Sequence, residues 1–230
     1  MKDFSPLEKK LKIKFKDQDL LKQAFVHRSY INENPGFKIS HNERLEFLGD
    51  AVLELVVTEF LYQSYPNPEG ELTNWRASLV NSQMLAKLAQ KLDLEDYLYL
   101  SKGEAKDKNS KARNYILANC FEALTGSIYL DQGYRVTKKF ITEVLIPELP
   151  EILANHLYLD PKSKFQEIAQ EKLAITPTYK VIKESGPDHA KKFQVGVYLN
   201  DELVATSTGS SKQEAQVKAA DKALQKKNWQ

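Results

Sequence analysis

The stretch HNERLEFLGDAVLEL, residues 41 to 55, decides the fold of the first part of this chain. Its apolar residues recur at helical spacing, and on a helix its carboxylates share a sector of about 80°: Glu43, Glu46, Asp50 and Glu54. The opposite side is predicted to carry Leu48, Val52, Leu55 and Val56. Only Arg44 is positive among these acids. The stretch therefore predicts an amphipathic helix with an acidic face.

An acidic helix face has two interpretations. In most proteins such a face is simply solvated, and that interpretation stays open here. Against it, like charges at i,i+3 and i,i+4 repel by about 0.2–0.5 kcal/mol per pair when solvated, and by more when buried. A bound hard cation such as Mg²⁺ reverses that cost, because its ligands are carboxylate oxygens and water. The spacing alone does not choose between a solvated face and a metal site.

Composition and length narrow the class of protein. The chain has 230 residues, of which 42% are hydrophobic and 28% charged, which is typical of a folded globular protein. No apolar run approaches the roughly 20 residues of a membrane span. The single cysteine, Cys120, can form no internal disulfide and is expected to be buried. We expect a cytoplasmic protein with no membrane partner.

The chain changes character near residue 160. Before that point, helical periodicity predicts helices at 19–26, 43–62, 72–92 and 114–131. The prolines within residues 146 to 161 mark a linker. We expect an all-α domain at 1–148, a linker at 149–160 and a small α+β domain at 161–230.

The expected second domain has the order helix, three strands, helix. Its first helix, 162–173, is predicted to turn Phe165, Ile168, Ala169 and Leu173 inward. Residues 192–200 alternate like a strand, and 178–184 and 202–209 are expected to flank them. A last helix at 211–224 opens with Ser211 and Glu214 in capping-box spacing. Residues 161–230 carry a net charge of +4 and the remainder −2, which favours a polyanion-binding module.

A second helix offers partners for the acidic face. In residues 116 to 131, Asn119 and Glu122 share a face with Gly126, where the missing side chain permits close approach of another backbone or a ligand. Polar pairs at this spacing are common on helix surfaces. Taken alone, the pair does not distinguish a site from an ordinary surface.

The sequence resembles the ribonuclease III endonucleases along nearly its whole length. The resemblance lies in NERLEFLGD (42–50) and continues through LLKQAFVHRSY (20–30), PEGELTNWRASLVN (68–81) and ILANCFEALTGSIYLD (116–131). The C-terminal part is similar to a double-stranded RNA-binding domain. The resemblance implies a homodimer that cleaves double-stranded RNA, including structured precursors such as ribosomal RNA, to give 5′-phosphate and 3′-hydroxyl ends.

The same resemblance assigns roles to residues. Glu46, Asp50, Asn119 and Glu122 fall on the metal-binding positions, with Asp50 and Glu122 also catalytic, Mg²⁺ as cofactor and Mn²⁺ able to substitute. Further positions are acidic residues near the site and dimer interface, Glu43 and Glu69, and the aromatic that packs into the partner subunit, Phe47. Hydrolysis by carboxylate-held metal requires no histidine, so His27 and His41 are predicted to be hydrogen-bonded structural residues.

Asn119 departs from the family pattern, which has an aspartate there. An amide oxygen still binds a hard cation but contributes no charge. Three interpretations are open: an active natural variant with weaker metal binding, an engineered substitution, and a protein that binds duplex RNA without cutting it. The first is favoured because Glu46, Asp50 and Glu122 remain. A further alternative treats residues 1 to 145 as a protein-interaction bundle with a structural acidic face.

The second domain is predicted to bind duplex RNA by shape, through 2′-hydroxyls and phosphates. The first-helix candidates are Gln166, Glu167 and Gln170, those of the hairpin turn are Gly186, Pro187, Asp188 and His189, and Lys212 begins the last helix. Where the family commonly has a second lysine this chain has Gln213, which predicts somewhat weaker binding.

Overall fold

The protein is described by a computed structural model covering residues 2–107, 110–187 and 190–229. The chain divides into two compact units, Met1–Glu151 and Ile152–Gln230. The point of division lies in the segment expected to be a linker, part of which is helical. Within the described ranges, no helix has the length and apolar character needed to cross a membrane.

The first unit is helical, as predicted. Its helices are α1 Ser5–Leu11, α2 Gln18–Ala24, α3 Arg28–Glu33, α4 Glu43–Ser64, α5 Glu69–Leu79, α6 Ser82–Lys91, α7 Lys102–Lys106, α8 Lys111–Gln132 and α9 Tyr134–Val144. The point of division between the two units falls within α10 Leu149–Ala154. Short 3₁₀ turns occupy Leu94–Tyr97 and Ile146–Glu148. The unit is built around α8, which contacts α2, α4, α6 and α9.

Helix α8 is buried on most sides because its sequence is small and apolar in the middle. Ala118, Cys120, Ala123 and Gly126 are all buried, and the buried Thr125 hydroxyl donates to the carbonyl of Phe121 at 3.0 Å. A helix that is apolar on nearly all sides belongs at the centre of a bundle. The prediction that Cys120 is buried is confirmed.

Two details of the helical prediction are wrong. The segment 72–92 is two helices, because the side chain of Asn81 accepts from the backbone N–H of Met84 at 2.9 Å and begins α6 there. On α4, Leu55 is exposed and the neighbouring Leu53 is buried instead. The apolar face of α4 is thus rotated relative to the face that the spacing predicted.

The second unit has the predicted α+β architecture. It consists of α11 Pro161–Leu173, β1 Thr178–Ser185, β2 Lys192–Leu199, β3 Glu202–Gly209 and α12 Lys212–Lys227. The strands form an antiparallel sheet in the order β1-β2-β3, with Val181 opposite Val195 and Val197 opposite Ala205. Helices α11 and α12 supply Phe165, Ala169, Ala219 and Ala220 to a core shared with the inner face of the sheet.

The ends of the two helices agree with the sequence patterns only in part. The Ser211 hydroxyl accepts from the backbone N–H of Glu214 at 3.1 Å, as predicted. The Glu214 carboxylate reaches back to the backbone N–H of Ser210, at 2.6 Å, instead of that of Ser211. Leu173, predicted to face inward, is exposed in the last turn of α11.

Candidate active site

The candidate site depends on close contact between the backbones of α4 and α8. A Cβ atom built on Gly49 would overlap the carbonyl oxygen of Glu122, and one built on Gly126 would overlap the carbonyl oxygen of Leu45. Helices packed through larger side chains lie about 8–10 Å apart, so contact through glycine brings the axes closer than is usual. The expectation that Gly126 permits close approach of a backbone is therefore confirmed.

This contact brings the predicted acids of the two helices together. Glu46 and Asp50 flank Gly49 on α4, and Glu122 projects from α8 at the point of contact. Burial, then the charge of Asp50, then that of Glu46, raise the pKa of Glu122 to about 8. A carboxyl group perturbed this far by desolvation and like charges is typical of a functional site.

Asn119 has a defined partner. Its side-chain amide donates a hydrogen bond to the carboxylate of Glu46. Burial and the charges of Glu43 and Asp50 raise the pKa of Glu46, and the bond from Asn119 opposes them. An aspartate at this position would offer no donor while ionised, so the amide partly relieves the repulsion within the cluster.

An open cleft of about 630 Å³ lies beside Glu46 and Asn119. Its walls come from α3, α4, α7 and α8, and its lining includes Arg28, Glu43, Glu104 and Tyr115. The guanidinium of Arg28 lies 3.7 Å from the Glu43 carboxylate. Besides Arg44, the acidic face of α4 therefore has a second positively charged neighbour, contributed by α3. Of the three acids Glu46, Asp50 and Glu122, only Glu46 lines the cleft, and Asp50 is exposed on α4 outside its lining.

The two histidines near the cleft differ. His27 is hydrogen-bonded, as predicted, with Nδ1 2.7 Å from the Ser29 hydroxyl. Its side chain also caps α3, which was not predicted. His41 Nδ1 is buried with no hydrogen-bond partner among the described residues, although it lies 3.7 Å from the Glu43 carboxylate. The prediction of a hydrogen-bonded side chain is thus correct for His27 and wrong for His41.

The remaining predicted residues of the first unit do not line the 630 Å³ cleft. Glu69, at the start of α5, lines a different pocket of about 650 Å³. Phe47, next to Glu46, is 81% exposed. Glu54 is exposed on α4, as expected for a surface glutamate. Within a single chain, Glu69 therefore lines a different pocket from Glu43 and Glu46.

The fit of this donor set to a metal can be judged from its chemistry. Oxygen donors only, three carboxylates and one amide, are the ligands that hard divalent cations prefer. In the described ranges no three Asp, Glu, His or Cys side chains already have the geometry of a metal centre. The donor chemistry of the cluster therefore fits a divalent cation.

In the second unit, predicted RNA-binding residues meet at a surface cavity of about 800 Å³ between α11 and α12. Gln166 and Lys212 both line it, together with Gln213. Lys212 Nζ also lies 3.4 Å from the Glu184 carboxylate and 5.6 Å from the centre of the Phe193 ring. Glu167 and Gln170 are exposed on α11.

The β1–β2 turn is described only in part. Gly186 has φ +93°, and a Cβ there would lie 2.6 Å from the carbonyl oxygen of Ala190, so glycine suits the position. The Pro187 carbonyl accepts from the backbone N–H of Ala190 at 2.9 Å. Asp188 and His189, also predicted to bind RNA, lie outside the described residues.

Comparison with known proteins identifies the family. The ribonuclease-III-like profile matches residues 17–149, and the double-stranded RNA binding motif matches residues 161–227. Ribonuclease 3 of a Nitratiruptor species is 45% identical over 225 residues, which are 97% of this chain and 96% of that protein. The chain belongs to the ribonuclease III family.

Other relatives agree with this assignment. Ribonuclease 3 of Enterococcus faecalis is 43% identical over 219 residues, covering 95% of this chain and 94% of that protein. The nuclease domain of ribonuclease III from Campylobacter jejuni superposes with a TM-score of 0.58 at 38% identity, covering 64% of this chain and 99% of that one. This member of the ribonuclease III family is a divalent-metal-dependent endoribonuclease specific for double-stranded RNA.

Proposed function

We propose that Glu46, Asp50, Asn119 and Glu122 together form a Mg²⁺ site, able to accept Mn²⁺, at which RNA strands are hydrolysed to 5′-phosphate and 3′-hydroxyl ends. The observation that carries the proposal is the grouping of three mutually repelling carboxylates on α4 and α8, of which Glu46 and Glu122 are partly buried and Asp50 is exposed. The substrates are structured precursors in the cytoplasm, ribosomal RNA among them. Residues 1–148 act as the nuclease domain and 149–160 as the linker to an RNA-binding domain at 161–230.

The residues of the chain divide the work. Glu46 and Asp50 present carboxylate oxygens from successive turns of α4, one on each side of the Gly49 contact. Asn119 orients Glu46 through its amide. Glu122, with a pKa of about 8, is able to hold a proton on its carboxyl group near neutral pH. When bound, a divalent cation neutralises charge on the phosphate and supplies Lewis acidity for the displacement.

The comparisons do not favour the alternative of a duplex-RNA binder that has lost cleavage. The only residue that suggests this alternative is Asn119. Its amide has a role that an aspartate lacks, because it donates a hydrogen bond to Glu46. Neutral oxygen ligands also occur in sites for hard cations. We therefore propose that Asn119 tunes metal affinity and leaves cleavage intact.

Cleavage of a defined hairpin RNA during a Mg²⁺ titration tests the proposal. We expect the wild-type protein to cut at millimolar Mg²⁺, and Asn119→Asp to reach half its maximal rate at a several-fold lower Mg²⁺ concentration, because it adds ligand charge. Glu54→Gln, which removes an acid from the exposed part of α4, should not change the titration. The proposal fails if the wild type leaves the hairpin intact across millimolar Mg²⁺ and Mn²⁺ while Asn119→Asp cuts it.

We also propose that the active protein is a homodimer in which Phe47 enters the 650 Å³ pocket of a second copy. Phe47 is 81% exposed, and Tyr62, which lines the pocket, is 80% exposed. Large exposed aromatic side chains are typical of interfaces, and a two-fold axis would pair each Phe47 with the pocket of the other copy. Because Glu69 also lines that pocket, the pairing would bring it near Glu46 across the interface. The Campylobacter jejuni structure is described as flexible in a region involved in dimer formation.

Replacing Phe47 by aspartate should dissociate the dimer. Loss of a buried aromatic anchor costs about 2–4 kcal/mol, a weakening of the dissociation constant by roughly 30- to 1,000-fold. Sedimentation velocity over a concentration series measures the change, and cleavage should fall with dimer content. Leu130→Asp, at another exposed apolar residue, is the control. A Phe47→Asp protein that sediments as the wild type does would contradict this interface.

A further inference from the structure

One face of α8 extends the candidate site toward the N-terminus of the helix. Lys111, Tyr115, Asn119 and Glu122 are spaced by four, four and three residues, so their side chains follow one another along that face. The last two belong to the proposed metal site. The first two have no part in it, nor in the packing of the core, since both are exposed.

Tyr115 lies between two cavities. It lines the 630 Å³ cleft that contains Glu46 and Asn119, and also a smaller pocket of about 140 Å³ on its other side. Its side chain is 59% exposed, and its hydroxyl makes no hydrogen bond to any described residue. A large ring held at the mouth of a cleft, with a free hydroxyl, is able to contact a ligand through both.

The smaller pocket is polar. It is lined by Ser82 and Gln83 from the start of α6 and by Lys111, Asn114 and Tyr115 from α8. Lys111 forms no ion pair within the described ranges, whereas Lys87 lies 2.8 Å from Glu148 and Lys138 lies 2.8 Å from Glu59. The α8 face therefore places an unpaired positive charge and several hydrogen-bonding groups in line with the acids.

We propose that Tyr115 and Lys111 bind the ribose-phosphate backbone of the duplex beside the scissile bond, Tyr115 through a 2′-hydroxyl and Lys111 through a phosphate. The inference rests on the proposed function, since it takes the acids of α4 and α8 as the point of cleavage. Duplex RNA displays its 2′-hydroxyls along the wide minor groove, where an exposed tyrosine hydroxyl can reach them. Lysine neutralises a phosphate without reading sequence.

The helix sets a limit on where the contacts fall. At 1.5 Å per residue, Tyr115 lies about 10 Å and Lys111 about 16 Å along the axis from Glu122. Successive nucleotides of a duplex strand are on the order of 3 Å apart along its axis. The contacted riboses and phosphates are therefore within about five nucleotides of the cut, on either strand.

Cleavage of a hairpin RNA under Mg²⁺, with single 2′-deoxy substitutions within about five nucleotides of the cut, tests the tyrosine contact. For Tyr115→Phe, which removes only the hydroxyl, we expect KM to rise about three- to tenfold with kcat unchanged. This is the effect of losing one hydrogen bond that is equally strong in the ground state and in the transition state. At one position, 2′-deoxy substitution should weaken wild-type binding but not that of Tyr115→Phe, because both changes remove the same bond.

The lysine contact has its own readout. Lys111→Gln should raise KM and reduce the slope of log affinity against log salt by about one, as expected for one lost phosphate contact. Lys139→Gln, an exposed lysine on α9, is the matched control and should change neither. If the wild type fails to cut the hairpin, the proposed function fails. If it cuts normally and both Tyr115→Phe and Lys111→Gln behave as the wild type does, the function stands and this inference is overturned.

Discussion

Glu122→Gln is expected to lower the rate of RNA cleavage by about a thousandfold or more while duplex binding is retained. The substitution keeps the shape of the side chain but removes a carboxyl group that would ionise when a cation binds the proposed site, and a thousandfold corresponds to about 4 kcal/mol of transition-state stabilisation. Single-turnover cleavage of a hairpin measures the rate, and a filter or gel-shift assay in chelator measures binding. Asp50→Asn should behave in the same way, whereas a protein-interaction bundle would be indifferent to both.

The same substitution should stabilise the metal-free protein, and only at higher pH. The folded-state pKa of Glu122 is about 8, above the ordinary value of 4.5, so folding favours the protonated carboxyl. Its contribution to stability is therefore fully present below about pH 4.5 and is lost as the pH rises through 8. Glutamine, which stays neutral, loses nothing over that range.

The size of this effect is moderate because Glu122 is not fully buried. One pKa unit corresponds to about 1.4 kcal/mol, and after discounting for solvent screening we expect Glu122→Gln to gain about 2 kcal/mol at pH 9 and almost nothing at pH 5. Denaturant unfolding in chelator measures it. A Trp229→Phe background leaves Trp75, which is in the first unit, as the only tryptophan signal.

Added Mg²⁺ supplies the control for the stability measurement. A cation that binds the folded wild type stabilises it by mass action, so the advantage of Glu122→Gln should shrink as Mg²⁺ is raised. Glu54→Gln should show neither the gain at high pH nor the response to Mg²⁺. An equal stability change at pH 5 and pH 9 would show that repulsion within the acid cluster is not its cause.

Periodicity predicted the helices and strands well, because burial of one face decides most elements of this chain. It failed where a local contact decides instead. The junction between α5 and α6 contains neither proline nor glycine, and the break is made by the single side chain of Asn81, which caps α6. Leu55 and Leu173 are apolar at helical spacing yet exposed, which helical periodicity alone does not reveal.

The candidate site was predictable in its acids but not in its neighbours. The spacing of Glu46 and Asp50 singled out one face of α4, and the family motif on α8 indicated Glu122. The hydrogen bond from Asn119 to Glu46 depends on how α8 is aligned with α4. The pairing of Arg28 with Glu43 depends on a fold that brings α3 to the same cleft as α4. The residues proposed to bind RNA that the sequence did signal are Tyr115 and Lys111, four and eight residues before Asn119 on the same face.

That alignment is set by the glycine contact, and Gly49→Ala should therefore be the most damaging single-methyl change in the first unit. The added Cβ would overlap the backbone carbonyl of Glu122, which no side-chain rotation can relieve, so α4 and α8 must move apart. We expect a loss of at least about 3 kcal/mol in the free energy of unfolding, and loss of cleavage because Glu122 is carried away from Asp50.

The matched control is a glycine-to-alanine substitution that is expected to leave the free energy of unfolding unchanged or to raise it. Replacing glycine by alanine inside a helix normally stabilises it by about 0.5–1 kcal/mol. Gly70 is helical in α5, and a Cβ there would meet nothing within 4 Å, so Gly70→Ala should be neutral or stabilising. Denaturant unfolding of both variants in the Trp229→Phe background, read through Trp75, measures the change. If Gly49→Ala and Gly70→Ala shift the unfolding midpoint alike, the two helices do not meet through their backbones, and the grouping of Glu46, Asp50 and Glu122 loses its structural cause.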